Sequence, residues 1–160
     1  MRLTRFSDYS LRVLIYLGVQ GERLSTTGEV AAAYAISEHH LTKVVYRLVQ
    51  NGYIQTVRGK GGGMRLARDP DEINIGDVVR RSEGKPALVE CFDEVKSECR
   101  IDSACALKGM LFGAVGAFFD VLKNYTLADL LASRTKLART LNPAKEVAAN
   151  DTRARAAKRR

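Results

Sequence analysis

The chain opens with apolar residues at the spacing of a helix. Leu11, Leu14 and Ile15 recur at intervals of one, three and four residues, which places them on one face of an α-helix. Serine is a common N-cap residue and glycine a common helix terminator. We therefore expect an amphipathic helix that is capped near Ser7 and ends at Gly18.

Two shorter helical patterns follow, separated by a tight turn. Thr26 or Thr27 is expected to cap the first of them, and the turn "AIS" precedes Ser37, which is expected to cap the second. The second helix is predicted from about residue 38 to residue 51, with Gly52 ending it. Its apolar residues share one face: Leu41, Val44, Val45 and Leu48. Two short helices joined in this way predict a helix-turn-helix, although an ordinary helical hairpin has the same pattern.

The next stretch predicts a β-hairpin with a basic, glycine-rich tip. "YIQTVRG" alternates apolar and polar positions like a strand, "KGGG" forms the tip, and "MRLAR" is a second strand. A helix-turn-helix followed by a basic hairpin is typical of winged DNA-binding domains. The predicted fold is mainly α with a small β-hairpin wing.

The second half of the chain is dominated by one long apolar helix, predicted over residues 106–123. Its apolar face is broader than a helix needs when only one side is covered. Gly109, Gly113 and Gly116 add a surface that allows close approach. We expect this face to form a homodimer interface, with burial against the chain's own amino-terminal domain as the alternative.

These patterns divide the chain into four predicted parts. A winged helix-turn-helix domain takes residues 1–83, a cysteine-containing loop residues 84–105, and the dimerisation helix with a short last helix residues 106–135. Residues 136–160 are rich in alanine and arginine, which predicts a basic, disordered tail.

The net charge of +8 and the pI of about 9.6 favour a polyanionic partner such as DNA. No apolar run reaches the 18 residues that a transmembrane helix needs, and the start of the chain lacks the apolar region of a signal peptide. We therefore expect a cytoplasmic protein without a membrane partner.

All three cysteines of the chain lie in the segment "CFDEVKSECRIDSAC", as Cys91, Cys99 and Cys105. An odd count and an expected reducing cytosol argue against disulfides, and the paired spacing of a structural zinc site is absent. Incidental clustering or a thiolate-ligated iron–sulfur cluster remain. Three thiolates could hold a four-iron cluster with one further ligand, or a two-iron cluster, and the residues alone do not choose the fourth ligand.

Several of these stretches occur together in a known family. "MRLTRFSDYSLRVLIYL", the wing "VRGKGGGMRLAR", "INIGDVVR", the cysteine segment and "NYTLADLL" resemble the BadM/Rrf-two family of bacterial winged-helix repressors, and within it the nitric-oxide-sensing members most. The resemblance covers about residues 1–135. It implies a homodimer with a 4Fe–4S cluster in each subunit, held by the three cysteines.

The resemblance also implies a fourth ligand, an aspartate of the first helix supplied by the partner subunit. Asp8 in "FSDYS" matches that position; from the residues alone it is a first-turn aspartate favoured by the helix dipole. Members that sense cluster status use a histidine after the third cysteine, and here "ALKGML" follows Cys105. Iron-responsive members share the wide spacing between Cys91 and Cys99, so they remain the alternative within the family.

Candidate DNA contacts lie on the second helix of the helix-turn-helix and on the wing. The start of that helix reaches base edges in such domains, and a basic wing suits the minor groove or phosphates. Arg12 on the first helix is a further candidate phosphate contact. The full set is Arg12, Ser37, Glu38, His39, His40, Lys43, Arg58, Lys60 and Gly61.

Together these features predict a repressor that binds an operator in double-stranded DNA and senses nitric oxide through damage to its cluster. The alternative from another class is an iron–sulfur electron-transfer or carrier protein, which needs neither a wing nor a helix-turn-helix. An enzyme is not expected, because no nucleophile–base set, catalytic carboxylate pair or phosphate-binding loop is recognisable.

Overall fold

In a computed structural model, which describes residues 2–84, 88–93 and 97–141, the chain is mostly helical with one small hairpin. The helices and strands are α1 (Arg5–Gln20), α2 (Thr27–Tyr34), α3 (Glu38–Gln50), β1 (Ile54–Val57), β2 (Gly63–Leu66), α4 (Ile75–Glu83), α5 (Ala106–Lys123), α6 (Leu127–Leu130) and α7 (Arg134–Leu141). Single 3-10 turns occur at Pro70–Glu72, Glu90–Phe92 and Asp102–Ala104. The predicted fold class, mainly α with a β-hairpin wing, is confirmed.

Helix α1 is the centre of the molecule. Its residues Val13, Leu14 and Leu17 are completely buried, and α3, α4, β2, α6 and α7 all contact it. Burying such side chains stabilises a fold by about 1.5–3 kcal/mol each. The predicted face of α1 is therefore the core of the whole structure.

The ends of α1 differ from the prediction. Thr4, not Ser7, is the N-cap residue, and its hydroxyl accepts a hydrogen bond from the Ser7 amide at 3.2 Å. The helix continues beyond Gly18 to Gln20, and Gly21, at φ 67°, ends it. Gly18 lies inside the helix and packs against Leu131, the residue that follows α6: a Cβ at position 18 would overlap a methyl group of the Leu131 side chain, which would have to move.

The helix-turn-helix and the wing form as predicted. Thr26 caps α2 through a capping box with Glu29, each side chain bonding the other residue's amide. The hairpin pairs β1 with β2 antiparallel, from Ile54 opposite Leu66 to Val57 opposite Gly63. Two backbone hydrogen bonds between Ser25 and Met64, at 3.0 and 2.8 Å, join the wing to the start of α2. The wing is thus fixed to the body of the domain.

Helix α5 matches its predicted bounds and crosses α4 closely. Gly76 of α4 touches the end of α5, where a Cβ would lie 2.8 Å from the Lys123 nitrogen. The Arg80 guanidinium lies 4.5 Å from the ring centre of Phe119. Val115 and Phe119 are buried against this contact, so one side of α5 is covered by its own chain.

The last helix corrects the predicted tail. Residues 136–141 belong to α7, and Leu141 is buried. Arg134 donates two hydrogen bonds, at 3.1 and 2.9 Å, to the Val19 carbonyl at the end of α1. The predicted boundary at residue 135 is therefore wrong for this helix, and the rest of the predicted tail, residues 142–160, lies outside the described residues.

Candidate functional site

Helix α3 is held by one face and presents the other to solvent. Leu41, Val44 and Leu48 are buried at 0–2% exposure, and the helix packs on α1 and α2. Ala35 takes the left-handed conformation, φ 52°, that turns the chain from α2 into α3. This is the arrangement in which a helix-turn-helix offers its second helix to a DNA groove.

The candidate contacts predicted on α3 fall on different parts of its surface. Ser37 is the N-cap residue, without a capping hydrogen bond from its side chain. Glu38 lies beside α2, with its carboxylate oxygens 3.7 Å from where a Cβ on Gly28 would be. His39 and Lys43 are exposed and lie opposite the buried face.

His40 is exposed on the side of α3 that faces the start of α1. A cavity of about 220 Å³ lies between these two helices, and His40 and Lys43 line it together with Arg5, Phe6, Tyr9 and Val44. His40 is therefore placed away from the middle of the exposed face, whereas Lys43 lies both on that face and at the edge of the cavity.

Sequence reasoning missed the continuation of the exposed face along α3. Thr42, Tyr46, Arg47 and Gln50 are all exposed, and Tyr46 exposes 63% of its surface. The helical period would have found Tyr46 and Gln50, because they follow Lys43 by three and seven residues.

The wing carries its basic residues at the tip. Arg58, Lys60 and Gly61 are exposed in the turn between β1 and β2. Gly59 and Gly61 have φ values of 100° and 80°, which L-residues with side chains rarely adopt. The glycines thus shape a turn that exposes two cationic side chains beyond the hairpin.

Asp8 and Arg12 form an ion pair on α1. The guanidinium makes two contacts with the carboxylate, at 2.9 and 3.0 Å, and both side chains are about two-fifths exposed. Arg12 also lies 5.6 Å from the ring centre of Tyr34 on α2. Burial raises the pKa of Tyr34 to about 12, so its ring stays neutral in this cluster. A phosphate contact by Arg12 would therefore compete with Asp8 and remains a prediction.

The cysteine segment joins α4 to α5. All three thiols are free; Cys91 is buried, while Cys99 and Cys105 are half-buried. Between α4 and α5 the described residues contain only 3-10 turns, and Cys105 is the residue that precedes α5. Backbone hydrogen bonds in this segment close short turns, such as those from the Asp102 amide to the Cys99 carbonyl at 3.2 Å and from the Cys105 amide to the Asp102 carbonyl at 3.5 Å.

The donor chemistry of this segment fits an iron–sulfur cluster, since free thiolates are the ligands such clusters require. In the described ranges, however, no three histidine, cysteine, aspartate or glutamate side chains are grouped closely enough to hold a metal ion. The thiols would have to be drawn together on binding, which the irregular backbone around them permits.

The outer side of α5 is apolar and largely exposed, although the Phe112 ring contacts Phe92 of the same chain at 5.9 Å between ring centres. Leu107, Met110 and Phe112 are 59%, 69% and 71% exposed, and Val121 is 56% exposed. A Cβ at Gly109, Gly113 or Gly116 would meet no atom within 4 Å. The alternative expectation, burial against the chain's own amino-terminal domain, is met on one side, where Val115 and Phe119 are buried and Arg80 of α4 lies over the Phe119 ring. The glycine-containing side is open, and the homodimer interface stays a prediction.

The family model described as Rrf2, iron-dependent transcriptional regulator, matches residues 3–133, which is most of the chain. The chain belongs to the Rrf2 family. The matched range includes the wing, the cysteine segment and α5, so the family assignment rests on the whole arrangement and confirms the resemblance found in the sequence motifs.

Curated relatives of this Rrf2 protein carry one recurring name. The chain is 49% identical over 143 residues to the HTH-type transcriptional regulator NsrR of Bacillus subtilis (strain 168), covering 88% of this chain and 97% of that protein. It is 50% identical over 138 residues to the NsrR of Geobacillus kaustophilus (strain HTA426), covering 86% and 94%. The chain is therefore a transcriptional regulator of the NsrR type.

Solved structures agree with the fold. The structure of CymR, the global cysteine regulator of B. subtilis, superimposes with a TM-score of 0.63 at 29% identity, covering 83% of this chain and 98% of that one. IscR of T. potens superimposes with a TM-score of 0.66 at 25% identity, covering 83% and 88%. Within the described ranges, no helix combines the length and apolarity needed to cross a membrane.

Proposed function

We propose that this Rrf2 regulator is a homodimeric repressor whose operator binding depends on an iron–sulfur cluster and which senses nitric oxide through damage to that cluster. The observation that carries the proposal is the set of three free thiols, the only cysteines of the chain, on one irregular segment between α4 and α5. A four-iron cluster is proposed, and a two-iron cluster is the alternative that the same three thiolates allow.

Cys91, Cys99 and Cys105 are proposed to hold the cluster as thiolates, with the carboxylate of Asp8 from the partner subunit as the fourth ligand. When bound, the cluster would supply an iron whose carboxylate ligand is harder and more easily displaced than a thiolate, and which is therefore open to nitric oxide. The chain has no other cysteine that could take the place of one of these three ligands.

The ion pair with Arg12 means that Asp8, the proposed iron ligand, already has a partner in its own subunit. An Asp8 carboxylate that binds iron gives up at least part of its two contacts with the guanidinium, now at 2.9 and 3.0 Å. Arg12 in turn lies against Tyr34 at the end of α2, and α2 leads through a short turn into α3. A change of partner at Asp8 would thus alter the contacts of Arg12 with α2, and through α2 the position of α3, which carries the DNA-binding surface.

The proposed DNA partner is an operator in a double-stranded duplex. His39 and Lys43 on α3 would face the major groove, and Arg58 and Lys60 on the wing would reach phosphates or the minor groove. All four side chains are exposed, and a cleft lined by Glu38 and Val45 of α3 and by Thr56 and Val57 of β1 makes the two elements neighbours, which supports this assignment.

The homodimer is proposed to form through the open side of α5. Exposed Leu107, Met110 and Phe112 are unusual on a surface that faces only water, since contiguous exposed apolar patches mark interaction sites. The neighbouring glycines would let two α5 helices approach closely. Dimerisation would also bring the Asp8 of one subunit to the cysteine segment of the other.

The test begins with protein purified without oxygen. Its visible absorption is recorded during a nitric oxide titration, with binding to operator DNA measured in the same samples. We expect a blue-violet band that bleaches with nitric oxide and release of DNA at the same stoichiometry. Protein that stays colourless after anaerobic reconstitution with iron and sulfide would refute the cluster.

Two variants make the test specific to the ligands. Cys99→Ser is expected to lose the absorption band, and Ser103→Ala, an exposed position in the same segment, is expected to keep it. Asp8→Ala should retain three thiolates but shift the band and the nitric oxide response. An Asp8→Ala protein with an unchanged spectrum and response would remove Asp8 from the ligand set.

An iron-responsive regulator is the second candidate, favoured by the seven residues between Cys91 and Cys99 and by the description of the family as iron-dependent. A cluster that is indifferent to nitric oxide but is lost, together with DNA binding, on iron chelation would establish it instead.

A further inference from the structure

Tyr46 is an aromatic residue exposed on the helix that is proposed to enter DNA. It is the ninth residue of α3 and exposes 63% of its surface. An exposed aromatic ring adds little to the stability of the fold, because its apolar area stays in water. The residue therefore has no structural role that its surroundings explain.

The hydroxyl of Tyr46 is hydrogen-bonded to Gln50, and Gln50 is in turn hydrogen-bonded to Arg47, all on the same helix. The Gln50 amide donates a hydrogen bond to the Tyr46 oxygen at 2.9 Å, and the Arg47 guanidinium donates to the Gln50 carbonyl oxygen at 3.4 Å. Arg47 thereby fixes which way the amide points. Because the tyrosine oxygen accepts from Gln50, its own proton remains available for donation to another group.

The position of Tyr46 on the helix directs this donor outwards. At about 100° per residue, His39, Lys43, Tyr46 and Gln50 fall in a stripe about 60° wide. The stripe is opposite the face formed by Leu41 and Leu48, which are 0% and 2% exposed. This stripe would face the groove if α3 docks with its exposed side, with Tyr46 about two turns after His39.

We propose that Tyr46 reads a thymine in the major groove of the operator, with Gln50 and Arg47 as positioning residues. Among the bases, thymine presents both an acceptor oxygen, O4, and a methyl group in that groove. The Tyr46 hydroxyl donates to O4, and the exposed ring packs against the methyl group. The inference deepens the proposed function and rests on it, since it requires sequence-specific DNA binding.

The experiment uses full-length wild-type protein, purified without oxygen, and a library of duplexes with a randomised core. Sequences enriched by the wild-type protein define the operator, and the same selection is made with Tyr46→Phe, which removes only the hydroxyl. Tyr125→Phe is the matched control, because Tyr125 is also exposed, at 49%, but lies between α5 and α6.

We expect the wild-type protein to prefer thymine at one position in each half-site and Tyr46→Phe to lose that preference. Operator affinity of Tyr46→Phe should fall about 3- to 10-fold, the effect of one hydrogen bond, while its affinity for a random duplex stays unchanged. Replacing that thymine with uracil, which lacks the methyl group, should weaken wild-type binding about 3-fold and should leave a Tyr46→Ala variant unaffected.

Equal losses on operator and random duplex would overturn the inference, because they would make Tyr46 a phosphate contact. An unchanged selection with Tyr46→Phe would overturn it as well. Both results leave the proposed function intact. Failure of the wild-type protein to enrich any sequence would instead refute sequence-specific binding itself, and with it the proposal for Tyr46.

Discussion

Replacing Gly76 with alanine should push α4 and α5 apart. The new Cβ would lie 2.8 Å from the Lys123 nitrogen and 3.0 Å from its Cα, which are backbone atoms. Restoring ordinary contact at about 3.4 Å requires a displacement of about 0.6 Å, the difference between the two distances. The same movement would stretch the 2.7 Å hydrogen bond from the Asn74 side chain to the Lys123 carbonyl.

The expected loss of stability follows from two opposing terms. Overpacking a close contact costs about 1–3 kcal/mol, and alanine recovers up to about 1 kcal/mol over glycine within a helix. The difference between the two terms spans about 0–3 kcal/mol, and we take the middle of that range, about 1–2 kcal/mol, as the net destabilisation of Gly76→Ala. For a chain of this size it corresponds to a fall in Tm of about 2–8 °C.

The assay is thermal unfolding followed by circular dichroism, at one protein concentration because a dimer's Tm depends on it. Gly28→Ala is the matched control: Gly28 is the second residue of α2 as Gly76 is of α4, and its Cβ would meet only ordinary contacts at 3.7 Å. We expect Gly28→Ala to unfold at or slightly above the wild-type temperature. A Gly76→Ala protein as stable as Gly28→Ala would refute the reasoning from the helix crossing.

Three further predictions concern the proposed dimer, the half-buried Tyr34 and the wing. Met110→Lys should convert the dimer into monomer in analytical ultracentrifugation, because the charge replaces a 69% exposed apolar side chain on the proposed interface; Val57→Lys, at a 46% exposed position on the wing, should not. The pKa of Tyr34 is about 12 in the folded chain and 10.0 in the unfolded chain, so the unfolded chain ionises first as the pH rises. The free energy of unfolding should therefore fall between pH 10 and about pH 12. Tyr34→Phe should flatten that slope in urea titrations made at pH 9 and 11, and an unchanged slope would contradict the assignment. Arg58→Ala should weaken operator binding in gel-shift titrations and lower the salt dependence by about one counterion, and equal affinity at fixed salt would exclude a wing contact there.

The sequence was most informative where structure follows from local pattern. The bounds of α5 were predicted correctly, and the cap of α2 was one of the two candidates, Thr26 and Thr27, since apolar periodicity and capping chemistry act within a few residues. Ser7 was mistaken for the first cap because Thr4 has the same chemistry three residues earlier. Thr4 and Ser7 can both cap a helix, and which of them does so depends on contacts with the rest of the fold that decide where the helix begins.

Features that depend on distant contacts were not predictable in the same way. Helix α7 is fixed by Arg134 on the Val19 carbonyl, 115 residues away in sequence, and its own pattern is largely polar and basic. Gly18 resembled a helix end because a lone sequence does not show that Leu131 packs on it. The exposed stripe through Tyr46, in contrast, was predictable from the sequence, because the apolar residues Leu41, Val44 and Leu48 mark the opposite face of α3.

The close crossing of α4 and α5 has a consequence for repair. Gly76 against Lys123, and Arg80 against Phe119, hold together the two helices between which the cysteine segment runs, and neither contact involves the segment itself. The two ends of the loop are therefore already held near each other before a ligand binds. The binding of the ligand does not have to compensate for the entropy that loop closure costs. A zinc finger unfolds when its metal leaves. We expect this chain, in contrast, to stay folded when the proposed cluster is lost, as an apoprotein that can bind a new cluster without being synthesised or folded again.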